Sequence, residues 1–480
     1  MEKLDRSKEP LYVLLFLAAF FILNAITANV YPYLLCDEFI FSEPAISYLL
    51  GHGFHVRFNE ILSMYSFLLV PWISIFGATF SSVRCASFLC MTLALGTLWS
   101  AVKRLGLVVQ PYYRAFLLLL LVTEFGMIVS YRVARYDSFG VLLISLLIWM
   151  MSIKGQRARI AALFSLCLFM PWAGLQYLPV IFVAGVLLCL FCPRRYWKEI
   201  AFSFLGVALG GIAFLSALSI SGRLSSYWNF VIQQRRGVAM IHSLLSHSRV
   251  NTVNTTPKDF SFPFLLTALA VLLFYLLRNR LMTARSAVSY IAVYIPSLSI
   301  LLFLVAKFPT GYTYFVSVPC LIAIFSGLPV CKSRSVKLTV YVLGGISALV
   351  GVGLNAANYA SDWKDRDYGN VERFVSSAVS PDDVAYVEYD AYFPARVKAK
   401  DVYYQVIDWN TFHLMSQQQK DSVSVIIDRP ENIDETIRGL GGLWHMTGER
   451  LEPTRKGMFQ GRGFGFLSIE NYDLVVLRRN

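Results

Sequence analysis

Apolar runs recur along this chain at lengths that suit the roughly 30 Å of hydrocarbon in a bilayer, and short basic clusters occupy alternate gaps between them. The runs fall at 11 to 30, 83 to 102, 115 to 131, 138 to 153, 160 to 173, 175 to 192, 200 to 220, 261 to 277, 287 to 306, 315 to 330 and 338 to 356, which predicts about eleven spans. The clusters are Lys3, Arg6 and Lys8; Lys103, Arg104 and Arg114; Lys154, Arg157 and Arg159; Arg194, Arg195 and Lys198; Arg278, Arg280 and Arg285; and Lys332, Arg334 and Lys337. An excess of Lys and Arg marks the cytoplasmic face. The N-terminus is therefore expected in the cytoplasm, with residues 31 to 82, 221 to 260 and the chain beyond 357 on the other side.

Composition agrees with a membrane protein. Of 480 residues 56% are hydrophobic and only 15% charged, and the mean hydropathy is +0.56, too apolar for an ordinary soluble enzyme. The net charge of +13 is divided among membrane-flanking clusters, so lipids rather than nucleic acid are the expected partners. Ile61 to Phe80 is apolar enough to cross, but a crossing there would invert every later cluster. It reads as an interfacial or re-entrant helix broken near Pro71. By the same rule "PWAGLQYLP" at 171 to 179 divides 160 to 192 into two short spans. The first apolar run lacks a small-residue cleavage site and reads as a retained span.

Beyond Ala357 the chain turns polar. The β-like runs "VAYVEY", "DVYYQVI" and "SVSVIID" alternate with helical "NVERFVSSAV" and "IDETIRGL", which predicts a small extracytoplasmic α/β domain over 357 to 480. The membrane part, 1 to 356, holds the first outer loop at 31 to 82. All eight cysteines precede the outer domain, and Cys36 with Cys85 is the pair to test for a disulfide.

Three motifs carry a resemblance. A first span is followed by Asp37 and Glu38, a helix ending in "YLLGHGF", then "NEILSMYSFLLVPWISIFG" and "SSVRCASFL"; later come "YRVARYDSFGVLLISLL" at 131 to 147 and "KFPTGYTYFVSVP" at 307 to 319. This pattern resembles the GT-C integral membrane glycosyltransferases, and within them the dolichyl-phosphate-mannose protein mannosyltransferase and lipid A aminoarabinose transferase group. The resemblance implies a GT-C-like polytopic helical fold in a bacterial inner membrane. It also implies a polyprenyl-phosphate sugar donor and a lipid, glycan or protein acceptor. Many relatives have Lys-Pro in the first loop where this chain reads "FNEILS"; no lysine is carried over, and Arg57 is the cation considered in that loop.

The chemistry accounts for such residues. A sugar on a polyprenyl phosphate leaves behind a stable phosphate anion, so transfer needs a base for the acceptor hydroxyl and cations for the developing phosphate charge. The resemblance gives the base role to Asp37, with Glu38 beside it, and implies inversion at the anomeric carbon. Asp137 is expected to orient the acceptor or Arg135. Arg135, Arg235, Arg236 and Lys307 are candidates for the donor phosphate, and Arg57 and Tyr312 for sugar or acceptor contacts.

Each residue also has a plainer reading. Asp37 and Glu38 can be solvated acids at a span end, Arg135 and Asp137 an interfacial anchor, and Lys307 a snorkelling side chain. Glu124 lies inside the third predicted span, where an ion is costly, and reads more readily as a satisfied polar contact between helices than as a functional group. His52 and His55 read as loop histidines rather than metal ligands, so no metal or other cofactor is indicated. "GVALG" at 206 to 210 reads as internal helix packing, and "NTT" at 254 to 256 fits a glycosylation acceptor by a short motif. Two rival classes remain. A transporter or flippase of a lipid-linked or anionic sugar predicts two similar halves with matching broken helices, and a non-catalytic polymer-binding scaffold leaves the Asp-Glu and Arg-x-Asp pairs unexplained.

Overall fold

The computed structural model describes residues 7–30, 36–51, 64–174, 197–225, 262–281, 314–405, 412, 415–455 and 471–480. The chain divides into two compact units, one of residues 1–22, 87–131 and 136–355, the other of 23–86, 132–135 and 356–480. The helices are α1 (Glu9–Ile26), α2 (Cys36–Leu49), α3 (Met64–Phe76), α4 (Phe80–Arg104), α5 (Pro111–Thr123), α6 (Phe125–Arg132), α7 (Asp137–Met150), α8 (Gln156–Ala173), α9 (Trp197–Ile220), α10 (Phe262–Arg278), α11 (Tyr314–Gly327) and α12 (Arg334–Asp362). Among the described residues α1, α4, α9 and α12 are long and apolar enough to cross a membrane, and a fifth crossing results if α5 and α6 form one bent span. The predicted runs at 175 to 192 and 287 to 306 lie outside the described residues.

In the first unit, α8 and α9 pack so closely that glycine is required at the contact. A Cβ on Gly206 would stand 2.6 Å from the Phe164 carbonyl oxygen, and one on Gly210 would stand 2.1 Å from that of Leu168. The small-residue spacing of "GVALG" thus serves packing within the chain. Where one span was expected over 115 to 131, the structure has two helices meeting at 68°. Glu124 sits at the break with extended backbone (φ −67, ψ 136), and its carboxylate accepts the Gly126 and Met127 amides at 3.0 and 2.8 Å. Two of the amides orphaned by starting a new helix are thereby satisfied, and a carboxylate is well placed at that helix N-terminus. On α12, a Cβ at Gly351 would lie 2.1 Å from the Thr123 carbonyl oxygen, so glycine admits that helix to the break.

The second unit joins α2 and α3 to a small α/β fold. Helix α3 runs unbroken through Pro71, contrary to the expected break. Only one backbone bond is forfeited there, and Tyr65, Leu69 and Ile73 remain buried on both sides of the proline. Helix α13 (Tyr368–Ala378) leads to β1 (Val384–Glu388); then follow α14 (Tyr392–Lys398), β2 (Asp401–Gln405), α15 (Gln417–Ser422), β3 (Val425–Asp428), α16 (Ile433–Leu440), β4 (Trp444–Leu451) and β5 (Leu474–Arg479). The sheet order is β2-β1-β3-β5-β4. Strands β2, β1 and β3 are parallel, which requires crossover connections; α14 lies between β1 and β2 in the chain and α15 between β2 and β3, while β5 is antiparallel to both its neighbours. Tyr386, Tyr403, Ile426, Leu440 and Leu477 form the core between the sheet and α16.

Candidate active site

Helix α2 begins at Cys36, which puts Asp37 and Glu38 in its first turn, where acidic residues offset the helix dipole. The backbone of Asp37 is helical, and its side chain lies outside the described residues. Glu38 is wholly buried. Its two carboxylate oxygens accept from Arg84 Nε and Nη2, each at 2.8 Å, and Oε1 also accepts the Ala134 amide at 2.9 Å. Arg84 is itself fully buried, donates through Nη1 to the Ala28 carbonyl at 2.7 Å and lies 4.0 Å from the Phe80 ring centroid. The planar guanidinium fork matches the carboxylate, and such a buried pair holds only when its remaining hydrogen bonds are satisfied.

Two of the sequence motifs therefore meet. The Asp-Glu turn of α2 and the "RVAR" segment at 132 to 135 are joined through the Ala134 amide. Arg132 fixes that segment from its other side, donating to Asn24 Oδ1 and Thr27 Oγ1, both at 2.8 Å, and to the Thr27 carbonyl at 2.9 Å. Arg135 is partly buried, immediately after Ala134. Asp137 is buried and opens α7 in the other unit, where Ser138 Oγ lies 2.7 Å from Ser87 Oγ on α4. Arg84 and Arg132 were not singled out from the sequence. The usable signal was a lone arginine in an apolar helix, which must find a partner.

The rest of α2 is also held in place. Phe39 packs against Tyr389, Tyr392 and Tyr404 with ring centroids 6.4, 5.0 and 4.8 Å away. Glu43 pairs with Arg396 of α14 at 3.8 Å, and Arg396 donates to Ser47 at 3.4 Å. Arg57, Arg235, Arg236, Lys307, Tyr312, His52 and His55 lie outside the described residues. Cys85 carries a free thiol, and the side chain of its suggested partner Cys36 is outside the described residues. Among the described residues no group of three His, Cys, Asp or Glu is arranged to hold a metal ion.

A second polar grouping lies in the sheet. Two residues beyond Tyr386, Tyr403 and Ile426, on the same face by the period of a strand, stand Glu388, Gln405 and Asp428. Glu388 and Gln405 are register partners, and Thr436 Oγ1 lies 2.5 Å from Asp428 Oδ2 and 3.2 Å from Gln405 Oε1. Glu388 is 2% exposed, and its Oε2 finds no hydrogen-bond partner among the described residues. Burial, then the charges of Asp428 and Asp390, push its carboxyl well above the usual range. Burial likewise raises Asp428 to about 6. Arg429 offsets part of this acidity through a 2.8 Å bond to Asp390 Oδ2.

Several long apolar helices and a small C-terminal sheet make up a fold that has a counterpart among solved structures. The chain is similar in fold to ArnT from Cupriavidus metallidurans bound to undecaprenyl phosphate, with 11% sequence identity, a TM-score of 0.60 and 97% of each chain covered. The apo form of the same ArnT gives 12% identity, the same coverage and a TM-score of 0.46. No family profile and no curated protein sequence matches the chain.

Proposed function

We propose that this protein is an integral membrane glycosyltransferase that moves a sugar from a polyprenyl-phosphate donor to an acceptor hydroxyl on the extracytoplasmic face, in a bacterial inner membrane. The observation that carries the reading is the Glu38–Arg84 clamp at the residue following Asp37, seen in a chain similar in fold over 97% of its length to an ArnT bound to undecaprenyl phosphate. A carboxylate acts as a general base only when held in position. Glu38 has both oxygens committed, so it suits the role of holding the turn, and Asp37 is left as the base.

In the proposed step the acceptor oxygen attacks the anomeric carbon while its proton passes to Asp37. The bond from that carbon to the phosphate oxygen breaks, and the configuration inverts. The leaving polyprenyl phosphate takes the bonding electron pair, and its charge is met by Arg135 together with Arg235, Arg236 and Lys307. Arg57 and Tyr312 contact the sugar or acceptor, and Asp137 orients the acceptor or Arg135.

The test offers purified protein a panel of polyprenyl-phosphate sugars with candidate acceptors and measures free polyprenyl phosphate. Asp37→Asn should retain the fold and donor binding while turnover falls by about 100-fold to 10,000-fold. A rate within threefold of the unaltered protein would remove Asp37 from the base role. Transport of an intact lipid-linked sugar, with no phosphate released from any donor, would favour the flippase reading instead.

A further inference from the structure

The first unit contains a groove remote in sequence from Asp37, with a volume of about 700 Å³ and formed by α1, α4 and α7. Leu14 and Phe21 of α1, Leu93 and Thr97 of α4 and Leu146 of α7 give it an apolar wall. Leu14 is 63% and Leu93 50% exposed, so the groove is open along its side. Trp149 closes one end, its indole donating to Ser100 Oγ at 3.3 Å.

That end is cationic. Leu93, Thr97, Ser100 and Arg104 follow one another at helical spacing, so the face of α4 that lines the groove terminates in Arg104. The Arg104 guanidinium lies 5.2 Å from the Trp149 ring centroid and is exposed, and no carboxylate pairs with it among the described residues. Lys103 reaches Glu9 at 3.3 Å, but both oxygens of Glu9 already accept from Arg114 at 2.6 Å. One acid thus faces two cations, Lys103 and Arg114, with Arg104 a third close by.

We propose that this groove binds an anionic glycerophospholipid, with an acyl chain along the apolar wall and the phosphate on Arg104 and Lys103. An acyl chain gains little by exchanging bulk lipid for the groove, because both are apolar. Selectivity therefore comes from the headgroup charge, at about fivefold for each cation engaged near the membrane surface. The positive-inside rule puts this end of α4 in the cytoplasmic leaflet. The proposal is independent of the transferase reading.

The test is native mass spectrometry of the full-length protein in detergent with equal phosphatidylglycerol and phosphatidylcholine. Phosphatidylglycerol should be retained about fivefold or more over phosphatidylcholine, and Arg104→Gln, an exposed position, should cut that preference by about fivefold. Thr97→Trp, which fills the groove, should lose both lipids. Equal retention by the unaltered protein would mean annular lipid only and would overturn the proposal, as would undiminished selectivity in Arg104→Gln. Preferential retention of polyprenyl phosphate in competition would assign the groove to that lipid and overturn it too. Should Thr97→Trp fail to fold, a photoreactive phosphatidylglycerol on the unaltered protein should label the groove residues of α1, α4 or α7, and labelling confined to the remaining helices would reject the site.

Discussion

Glu38 and Arg84, 46 residues apart, meet through two parallel 2.8 Å hydrogen bonds at a point from which both side chains are wholly excluded from solvent. Removing one member leaves the other charged and uncompensated, which costs about 3–5 kcal/mol at buried pairs. Arg84→Met should therefore lower stability by that amount in denaturant unfolding of the detergent-solubilised protein. Arg84→Met with Glu38→Gln should recover part of the loss, and simple additivity of the two changes would contradict the pairing.

Arg135 lies next to the segment that docks on Glu38, and it is proposed to meet the donor phosphate. Arg135→Gln keeps hydrogen-bonding capacity but loses charge, so donor affinity should weaken by about tenfold, at the lower end of what a charged hydrogen bond contributes. Binding of a labelled polyprenyl-phosphate sugar measures this directly. Unchanged affinity would remove Arg135 from the site.

The Glu388–Asp428 row predicts a pH dependence. A carboxyl whose folded pKa is raised binds more protons in the folded than in the unfolded state, so its favourable contribution is present at low pH and lost as pH rises. For Asp428 the window runs from its usual value of 3.8 to about 6, and Glu388 extends it upward. Hydrogen-exchange protection of peptides spanning β1 and β3, corrected for intrinsic rate, should fall as pH rises from about 4 to about 6 and continue to fall above that as Glu388 ionises. In Glu388→Gln the fall should be shallower, and an unchanged slope would exclude this pair as its source.

Adjacent glycines on α9 provide a packing test with its own control. Gly210 has the Leu168 carbonyl where a methyl would go, whereas nothing lies within 4 Å of a Cβ on Gly211. Gly210→Ala should cost about 1–3 kcal/mol by overpacking. Gly211→Ala should be neutral or gain up to about 1 kcal/mol from helix propensity. Thermal unfolding of both variants under one condition decides it.

What the sequence disclosed follows from how each feature is written. Strands β1, β2 and β3 were legible because Val, Tyr and Ile runs are bounded by polar residues, and α13 and α16 because their apolar positions repeat at helical spacing. Strand β4, "WHMTGERL", is solvent-facing almost throughout and has no apolar alternation; its extended state comes from pairing with β5. The break at Glu124 was hidden because hydropathy averages across a single acid in an apolar run. Asp37 and Glu38 stood out as neighbours, but the complete burial of Glu38 did not. Only the tertiary structure brings Arg84 and the Ala134 amide to Glu38.

The sheet order also constrains the timetable of assembly. Strand β5 lies between β3 and β4 yet follows both in the chain, so during synthesis β4 has no partner and β3 keeps an open edge until residues 474 to 479 have emerged. Ile426 and Ile427, fully buried once β5 is in place, are left bare for that interval, a condition that invites mispairing or chaperone capture. Maturation of this domain must therefore wait for its last strand, and a ribosome halted after β4 would display an aggregation-prone edge that the finished protein never shows.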